Sequence, residues 1–248
     1  MDIENVYTST LASSLIFFLS NYLIAYFIIF KKWDINLRKE ASSSFMSLTH
    51  GTPVVILAMH SLLQIQTAHS FASPNTTFHN SVLEFSMAYF LADLLHYLLF
   101  FPNDILFILH HAATLYVFVT CRYVVRYGGY EILVLLILAE VTNPLQNVWS
   151  IAGLRQADDP YAARLFQVLS TPFLVFYSVV RGVLGPLFVV KMGVFYFGGE
   201  GDGLIPRWAW ISWMVVIVTA ILVSILWVSN RWGYWFRERN RMDRKKAS

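Results

Sequence analysis

Long apolar runs separated by short polar segments dominate this chain. A helix that crosses the hydrocarbon core of a bilayer needs about 20 mostly apolar residues, and only helices or closed barrels satisfy the backbone there. The runs have helix length and lack the short alternating pattern of barrel strands. We therefore predict an all-α polytopic membrane protein. Its seven expected spans are 10–30, 46–65, 82–100, 105–121, 131–153, 165–190 and 209–229.

The runs also suggest how the chain is divided. We expect residues 1–45 to form an N-terminal transmembrane helix with a cytosolic linker, 46–230 to form one membrane domain, and 231–248 to form a basic cytosolic tail. The third and fourth runs are separated only by residues 101–104, which include Pro102. Because proline cannot continue a helix, a tight helical hairpin is predicted at this point.

Composition supports the membrane assignment. Charged residues make up 13% of the chain, about half the share that is usual in soluble domains. The net charge is only +3 and the basic residues cluster outside the apolar runs, which favours a topological role for them over nucleic-acid binding. The single cysteine, Cys121, excludes an intramolecular disulfide.

The distribution of basic residues predicts the orientation. With the N-terminus outside, the inside segments carry 13 Lys and Arg residues and the outside segments carry 4. The positive-inside rule therefore favours a lumenal N-terminus and a cytosolic C-terminus.

Two short motifs agree with this orientation. Asn75-Thr76-Thr77 is a glycosylation sequon in a predicted outside segment. The chain ends in Lys245-Lys246-Ala247-Ser248, which resembles the dilysine retrieval signal that coat proteins recognise on the cytosolic side of the endoplasmic reticulum. The alternative for the tail is electrostatic anchoring at an anionic leaflet. We expect residence in the endoplasmic reticulum membrane and treat Asn75 as a glycosylation candidate.

An adjacent pair of histidines in the fourth run is the leading candidate for chemistry, because ionisable groups at membrane depth are costly and usually face the protein interior or a cavity. His110 shares a helix face with Thr114, whereas His111 points about 100° away. We therefore predict that His110 faces a cavity. Adjacent histidines cannot face one target from a straight helix, so neither a metal site nor a bound cofactor is expected.

Polar residues in the third and fifth runs could complete this site. Asp93 and His96 are close enough along one helix to hydrogen-bond, either as a packing pair or as part of the site. Glu140 and Asn143 lie on one stripe, which Pro144 interrupts. Such a stripe either lines a cavity or supplies hydrogen bonds between helices.

The predicted partners of the buried groups follow from charge. We expect His110 to contact Asp93 or His96 on one side and Glu140 on the other. Arg181 lies within the sixth run and needs a carboxylate, backbone carbonyls or a lipid phosphate. We predict a carboxylate, either Glu140 or Asp93.

These residues together resemble the TLC-domain family, which includes the ceramide synthases and the translocating-chain-associated membrane protein. The resemblance covers about residues 40 to 230. It is carried by Ala92-Asp93-Leu94, by Asp104 upstream of His110-His111, by Thr114, and further along by Arg126, Gly128, the polar fifth run, Arg181 and Pro186. It implies six helices in a barrel around a lipid cavity and one peripheral helix.

The fifth run departs from the synthase pattern. Where ceramide synthases carry a His-Asp-x-Ser-Asp-like motif, this chain reads Ala139-Glu140-Val141-Thr142-Asn143. One carboxylate has become an amide and the histidine is missing, so the chain resembles the branch outside the ceramide synthases.

Two functions remain open at this point. The resemblance implies a role in membrane lipid homeostasis, with a histidine-dependent acyltransferase that uses acyl-CoA as co-substrate. In that reading the catalytic residues are His110, His111, Asp93 and Glu140. The residues that bind substrate are His96, Thr114, Asn143 and Arg181. The alternative is a non-catalytic lipid sensor, chaperone or cargo receptor that binds a membrane lipid.

Overall fold

The fold is helical, as predicted. A computed structural model describes residues 3–63 and 71–247, with side chains for 10–63 and 71–237. Seven helical spans in this part of the chain are long and apolar enough to cross a membrane, which confirms the predicted number. They are Thr10–Ile29, Ile35–Leu63, Thr77–Phe100, Ile105–Val125, Gly129–Arg155, Pro160–Phe197 and Arg207–Arg237.

Nine α-helices build these spans within the described ranges. In chain order they are α1 (Ile3–Ile24), α2 (Ile35–Leu63), α3 (Thr77–Phe100), α4 (Ile105–Val119), α5 (Gly129–Glu140), α6 (Asn143–Arg155), α7 (Pro160–Val179), α8 (Gly185–Phe197) and α9 (Arg207–Ala247). Short π-helical segments extend α1, extend α4 and join α7 to α8; they are Ala25–Ile29, Thr120–Val125 and Val180–Leu184.

The predicted hairpin between the third and fourth spans is present. Helix α3 ends at Phe100, α4 begins at Ile105, and a hydrogen bond from the Asp104 N–H to the Phe101 carbonyl (3.0 Å) closes the turn. At the other end of α3, the Thr76 hydroxyl accepts from the His79 N–H at 3.0 Å and caps the first turn. This hairpin sets α3 and α4 side by side, which brings Asp93 next to the histidine pair.

The fourth span is longer than its apolar run. The π-helical segment Thr120–Val125 carries the helix past the predicted end at residue 121, so Arg122 lies within the helix instead of in a loop. Its guanidinium is buried and donates to Glu84 of α3 at 2.9 Å. A buried charge pair between neighbouring helices explains how Arg122 is tolerated at this depth.

The fifth span is broken where proline interrupts the polar stripe. Helix α5 ends at Glu140, and α6 begins at Asn143 with Pro144 in its first turn. Proline is tolerated there because the first turn of a helix has no intrahelical acceptor for its N–H groups. The break leaves Glu140 at the end of one helix and Asn143 at the start of the next, both facing α2.

Helix α1 is packed into the bundle rather than set apart from it. Phe18 is fully buried among aromatic rings of α2 and α3, including Phe85 and Tyr89. Residues 35–45, expected as a cytosolic linker, are the first turns of α2. The predicted boundary at residue 45 therefore does not mark a break in packing.

Backbone hydrogen bonds between two loop segments join three helices at one end of the bundle. The segment before α3 runs beside the loop before α5, with hydrogen bonds from the Asn75 N–H to Arg126 O (2.9 Å) and from the Gly128 N–H to Ser73 O (3.2 Å). Arg126 and Gly128 both have positive φ, 63° and 83°. Glycine adopts this backbone region without steric cost, which accounts for its presence at the tight turn.

Helix α9 is the longest element. Its 41 residues extend over about 60 Å, well beyond the hydrocarbon core of about 30 Å. Trp227 packs on Phe173 and Tyr177 of α7, which fixes α9 to the bundle along its middle turns. The predicted retrieval signal lies near its end; the side chains of Lys245 and Lys246 fall outside the described residues.

Candidate functional site

The two adjacent histidines have different surroundings. His111 is buried, with Nε2 at 2.9 Å from Asp93 Oδ2 and Nδ1 at 2.7 Å from the Phe107 carbonyl. Asp93 is also buried and accepts from the Ser43 hydroxyl at 2.6 Å. This network joins α4 to α3 and α2 in the interior of the bundle.

Both ring nitrogens of His111 are therefore engaged. A carbonyl oxygen can only accept, so Nδ1 carries a hydrogen toward Phe107, and Nε2 faces the Asp93 carboxylate. An imidazole with both nitrogens held by the protein has none left for a substrate. The geometry gives His111 a positioning role in helix packing, whereas the sequence-based prediction made it catalytic.

His110 instead lines a cavity of about 140 Å³ between α3, α4, α5, α9 and the junction of α7 with α8. Thr114 lines the same cavity, on the face that their four-residue spacing predicts. Of the partners expected for His110, Asp93 and Glu140 lie within electrostatic range of its ring. Among the described residues, no hydrogen bond joins its imidazole to Asp93, His96 or Glu140.

The cavity wall is mostly apolar with a few polar groups. His110, Glu140 and Arg181 contribute the ionisable side chains, and His110 lies within electrostatic range of the other two. The remaining wall is largely aliphatic and aromatic and includes Phe90, Val117, Phe118, Ile132, Leu135, Leu136, Val180, Val216, Ile217, Ala220 and Ile221. Such a lining suits a ligand with an apolar body and one polar group.

Two residues that do not line the cavity contact the Glu140 carboxylate. Asn143 Nδ2 donates to Glu140 Oε2 at 2.6 Å, and His50 Nδ1 lies at ion-pair distance, 3.3 Å, from the same oxygen. His50 is fully buried, stacks on Tyr89 with ring centroids 4.0 Å apart, and lies 3.2 Å from Ser86 Oγ through Nε2. Glu140 thus has one close partner in its own span, Asn143, and another from α2, His50.

Sequence reasoning did not single out His50. It lies in the second apolar run, with no ionisable residue three or four positions away to draw attention to it. Its contacts with Glu140 and Ser86 come from two other helices. Only the assembled bundle shows them.

Arg181 has a different partner from the one predicted. Its Nη2 donates to the Ala139 carbonyl, which is exposed at the end of α5, and its guanidinium lies over the Tyr177 ring at 5.1 Å from the centroid. Within the described part of the chain, no carboxylate comes within 4.0 Å of it. The expected close ion pair with Glu140 or Asp93 is therefore not formed. A backbone carbonyl takes its place, and Glu140 acts on the guanidinium only at longer range.

His96 also lies apart from the cavity. Its Nδ1 is 3.1 Å from the Tyr22 hydroxyl of α1, so the predicted hydrogen bond along the helix to Asp93 is not formed. Asp93 turns to α4 instead because His111 of that helix and Ser43 of α2 converge on it. His96 thus helps to hold α1 against α3.

The sequence did not reveal another buried carboxylate. Glu131 is fully buried at the start of α5 and accepts from the Tyr196 hydroxyl of α8. It is the first residue of the predicted fifth span, 131–153, and was not singled out as a polar group of that span. The contact links α5 to α8 across the bundle.

The glycosylation candidate has structural contacts of its own. Asn75 Nδ2 donates to the Cys121 carbonyl at 3.0 Å, and Asn75 Oδ1 accepts from the Gly129 N–H at 2.7 Å. The side chain is half-buried and ties α3, α4 and α5 together at one end of the bundle. Glycosylation at this amide nitrogen stays a prediction. A glycan there would compete with the hydrogen bond to the Cys121 carbonyl.

The chemistry that this arrangement allows is narrow. Across the described ranges, no group of three His, Cys, Asp or Glu residues is placed to hold a metal ion. What the structure offers is an imidazole, a guanidinium and a carboxylate on the wall of an apolar cavity. These groups can orient the polar end of a lipid or move a proton there.

Comparison with known proteins identifies the family of the chain. The family model of the TLC domain matches residues 40–232. A TLC domain-containing protein of Arabidopsis thaliana is 53% identical over 234 residues, which cover 92% of this chain and 92% of that protein. No solved structure matches the chain. The match spans most of the bundle and includes every helix that lines the cavity, so the chain belongs to the TLC-domain family, a family of membrane proteins linked to lipid metabolism.

Proposed function

We propose that this protein acts in lipid homeostasis of the endoplasmic reticulum membrane by holding the acyl chain of a membrane lipid in the cavity lined by His110. The observation that carries the proposal is the make-up of the cavity wall: three ionisable side chains and two hydroxyl side chains on a mostly apolar surface. A volume of about 140 Å³ is close to that of an engineered protein cavity of about 150 Å³ that binds benzene. The cavity therefore suits a segment of one acyl chain better than a two-chain lipid.

Acyl transfer from acyl-CoA is the reaction that His110 would support. A neutral imidazole nitrogen can attack the thioester carbonyl. The C–S bond then breaks, the ring gives up its N–H proton, and coenzyme A leaves as the thiol. The acyl group then passes to a hydroxyl or amine of the acceptor lipid, whose proton the imidazole takes up. The absence of a hydrogen bond to the His110 ring within the described residues supports this role.

A non-catalytic lipid sensor, chaperone or cargo receptor is the second candidate, and a specific observation favours it. Asp93 is engaged by His111, and Glu140 by Asn143 and His50. Among the described residues, His110 thus has no carboxylate in hydrogen-bond contact, whereas a catalytic base is typically oriented by a third group. Under this reading His110 binds the lipid and transfers nothing.

One experiment tests lipid binding and separates the two candidates. Native mass spectrometry of the purified protein should detect a bound lipid, and an acyl adduct on His110 would identify the enzyme. Cells carrying His110→Ala should then show the lipid profile of a knockout if the histidine is catalytic. His60→Ala, an exposed histidine outside the cavity wall, serves as the control. A protein free of lipid in native spectra and in crosslinking with a photoreactive fatty acid would refute the proposal.

The proposed location rests on charge distribution and on the tail. We place the N-terminus in the lumen and the C-terminus in the cytosol, where coat proteins can recognise Lys245 and Lys246. A sequon engineered into the turn at 199–204 should acquire a glycan, and a sequon at 156–159 should not. Glycosylation of the second site alone would reverse the orientation.

A further inference from the structure

We infer that the ligand of the cavity carries an anionic head group, a carboxylate or a phosphate, which Arg181 binds. The inference rests on the proposed lipid-binding function of the cavity and adds the chemistry of the head group. It follows from the hydrogen-bonding capacity of the residues on the cavity wall.

Arg181 has more donors than the protein satisfies. A guanidinium offers five N–H donors. One nitrogen, Nη2, donates to the Ala139 carbonyl, while Nε is buried and has no hydrogen-bond partner among the described residues. The Tyr177 ring covers one face of the guanidinium but accepts none of its in-plane hydrogens. A cation at membrane depth with unused donors is costly unless a ligand supplies acceptors.

Glu140, the carboxylate on the same wall, does not fill this role. Its Oε2 accepts from Asn143 at 2.6 Å and lies 3.3 Å from His50. Neither of these two residues lines the cavity. The Glu140 carboxylate therefore has its polar partners outside the cavity wall, whereas the Arg181 guanidinium keeps an unpaired N–H donor among the described residues.

The geometry of a guanidinium selects the ligand class. Its planar fork matches the two oxygens of a carboxylate or phosphate, and charge-assisted bonds of this kind are about twice as strong as neutral ones. The aliphatic wall from α5 and α9 then accommodates the acyl chain, with Leu135, Val216 and Ile217 among its residues. Fatty acids and phospholipid-type head groups share this chemistry.

Three ligands with the same chain test the inference on the wild-type protein. Oleate, oleyl phosphate and oleyl alcohol are titrated into the protein in detergent micelles at alkaline pH, where both acids are ionised, and binding is measured by calorimetry or native mass spectrometry. The two anions should bind about 10- to 100-fold more tightly than the alcohol, as expected for hydrogen bonds to a charged group. The order of oleate and oleyl phosphate then identifies which head group the site prefers.

Substitutions assign the preference to Arg181. Arg181→Gln should remove the preference for the anions and leave the affinity for oleyl alcohol within about threefold. Arg207→Gln is the matched control, because Arg207 is an exposed arginine far from the cavity wall. Ala220→Phe should weaken all three ligands, since Ala220 lines the cavity.

The outcomes separate this inference from the proposed function. If none of the three ligands binds, the lipid-binding function itself fails. If all three bind equally, lipid binding stands and the anionic head group is refuted. If the anions remain preferred in Arg181→Gln, the assignment to Arg181 is wrong. The comparison of head groups on the wild type decides the question even if Arg181→Gln does not fold.

Discussion

His111 Nε2 lies 2.9 Å from Asp93 Oδ2, and this contact fastens α4 to α3 inside the bundle. The adjacent His110 lies on the wall of the cavity and takes no part in the contact. Two histidines that are neighbours in sequence thus have different surroundings, one in a contact between helices and the other on the cavity wall. The 100° step of the helix produces this division.

The two histidines should respond differently to removal. His111→Ala leaves Asp93 buried without its partner, and we expect a loss of about 3–5 kcal/mol in the free energy of unfolding, as for other broken buried pairs. His110→Ala should cost far less, because alanine is well tolerated in a helix and no hydrogen bond is lost. Thermal unfolding of both variants in detergent micelles measures the difference. Equal losses would contradict the division of roles.

The number of spans could be predicted from sequence because crossing a bilayer imposes a minimum apolar length. The hairpin at 101–104 and the break near Pro144 were predictable for a similar reason, since proline cannot continue a helix. The ends of α2 and α4 were not, because polar residues at their termini are buried by neighbouring helices. Arg122, paired with Glu84, is the clearest case.

The partners of the polar residues could not be read from the sequence either. Periodicity correctly placed His110 and Thr114 on one face. Which helix a polar side chain contacts depends on how each helix is rotated in the bundle, and a single sequence does not contain that rotation. His50 therefore went unnoticed, and Asp93 and Arg181 were given the wrong partners.

Gly51 marks the closest approach of α2 to the break in the fifth span. A Cβ at this position would meet Asn143 Cβ at 3.0 Å and Glu140 Oε2 at 3.4 Å. Gly51→Ala should therefore destabilise the protein by about 1–3 kcal/mol through overpacking. Gly182→Ala is the control, since a Cβ there meets nothing within 4 Å, and it should leave stability unchanged or raise it by up to about 1 kcal/mol. Similar melting temperatures for the two variants would argue against a close crossing at Gly51.

Asn75 should matter for stability whether or not it carries a glycan. Asn75→Gln misplaces the amide that bonds the Cys121 carbonyl and the Gly129 N–H, and we expect a loss of about 1–3 kcal/mol. Thr77→Ala also removes the sequon but leaves both hydrogen bonds of the Asn75 amide in place, so its effect should be smaller than that of Asn75→Gln. Unfolding curves of both variants and of the wild type, all recorded without glycosidase treatment, test this. A matching loss in Thr77→Ala would point to the glycan instead of the amide.

The proposed retrieval signal can be tested apart from the fold. Replacing Lys245 and Lys246 together by serine should let the protein leave the endoplasmic reticulum, because coat proteins could no longer recognise the tail. The same replacement at Lys31 and Lys32, a basic pair in the predicted cytosolic segment after α1, should leave its location unchanged. Fluorescence microscopy of tagged, full-length protein shows the difference. Unchanged localisation of the tail variant would refute retrieval without affecting the topology.

The last prediction concerns the position at which this chain departs from the ceramide synthase pattern. Asn143 Nδ2 donates to Glu140 Oε2 at 2.6 Å. Asn143→Asp would restore a synthase-like second carboxylate, yet it would also set two carboxylates against each other where Glu140 is buried. Because the donor is replaced by a like charge, we expect the variant to lose about 3 kcal/mol of stability and gain no activity.

A reversed pair tests whether the hydrogen bond itself is responsible for that loss. In Glu140→Gln with Asn143→Asp, the amide and the carboxylate exchange places, so that a donor again faces an acceptor. The double variant should recover more than half of the stability that Asn143→Asp loses, and Glu140→Gln alone completes the double-mutant cycle. Thermal unfolding of all four proteins in the same detergent gives the coupling energy. Additive losses would show that Asn143 does not support Glu140 through this bond. The amide would then be a tolerated substitution in the motif, and its contact with the carboxylate on the cavity wall would be incidental.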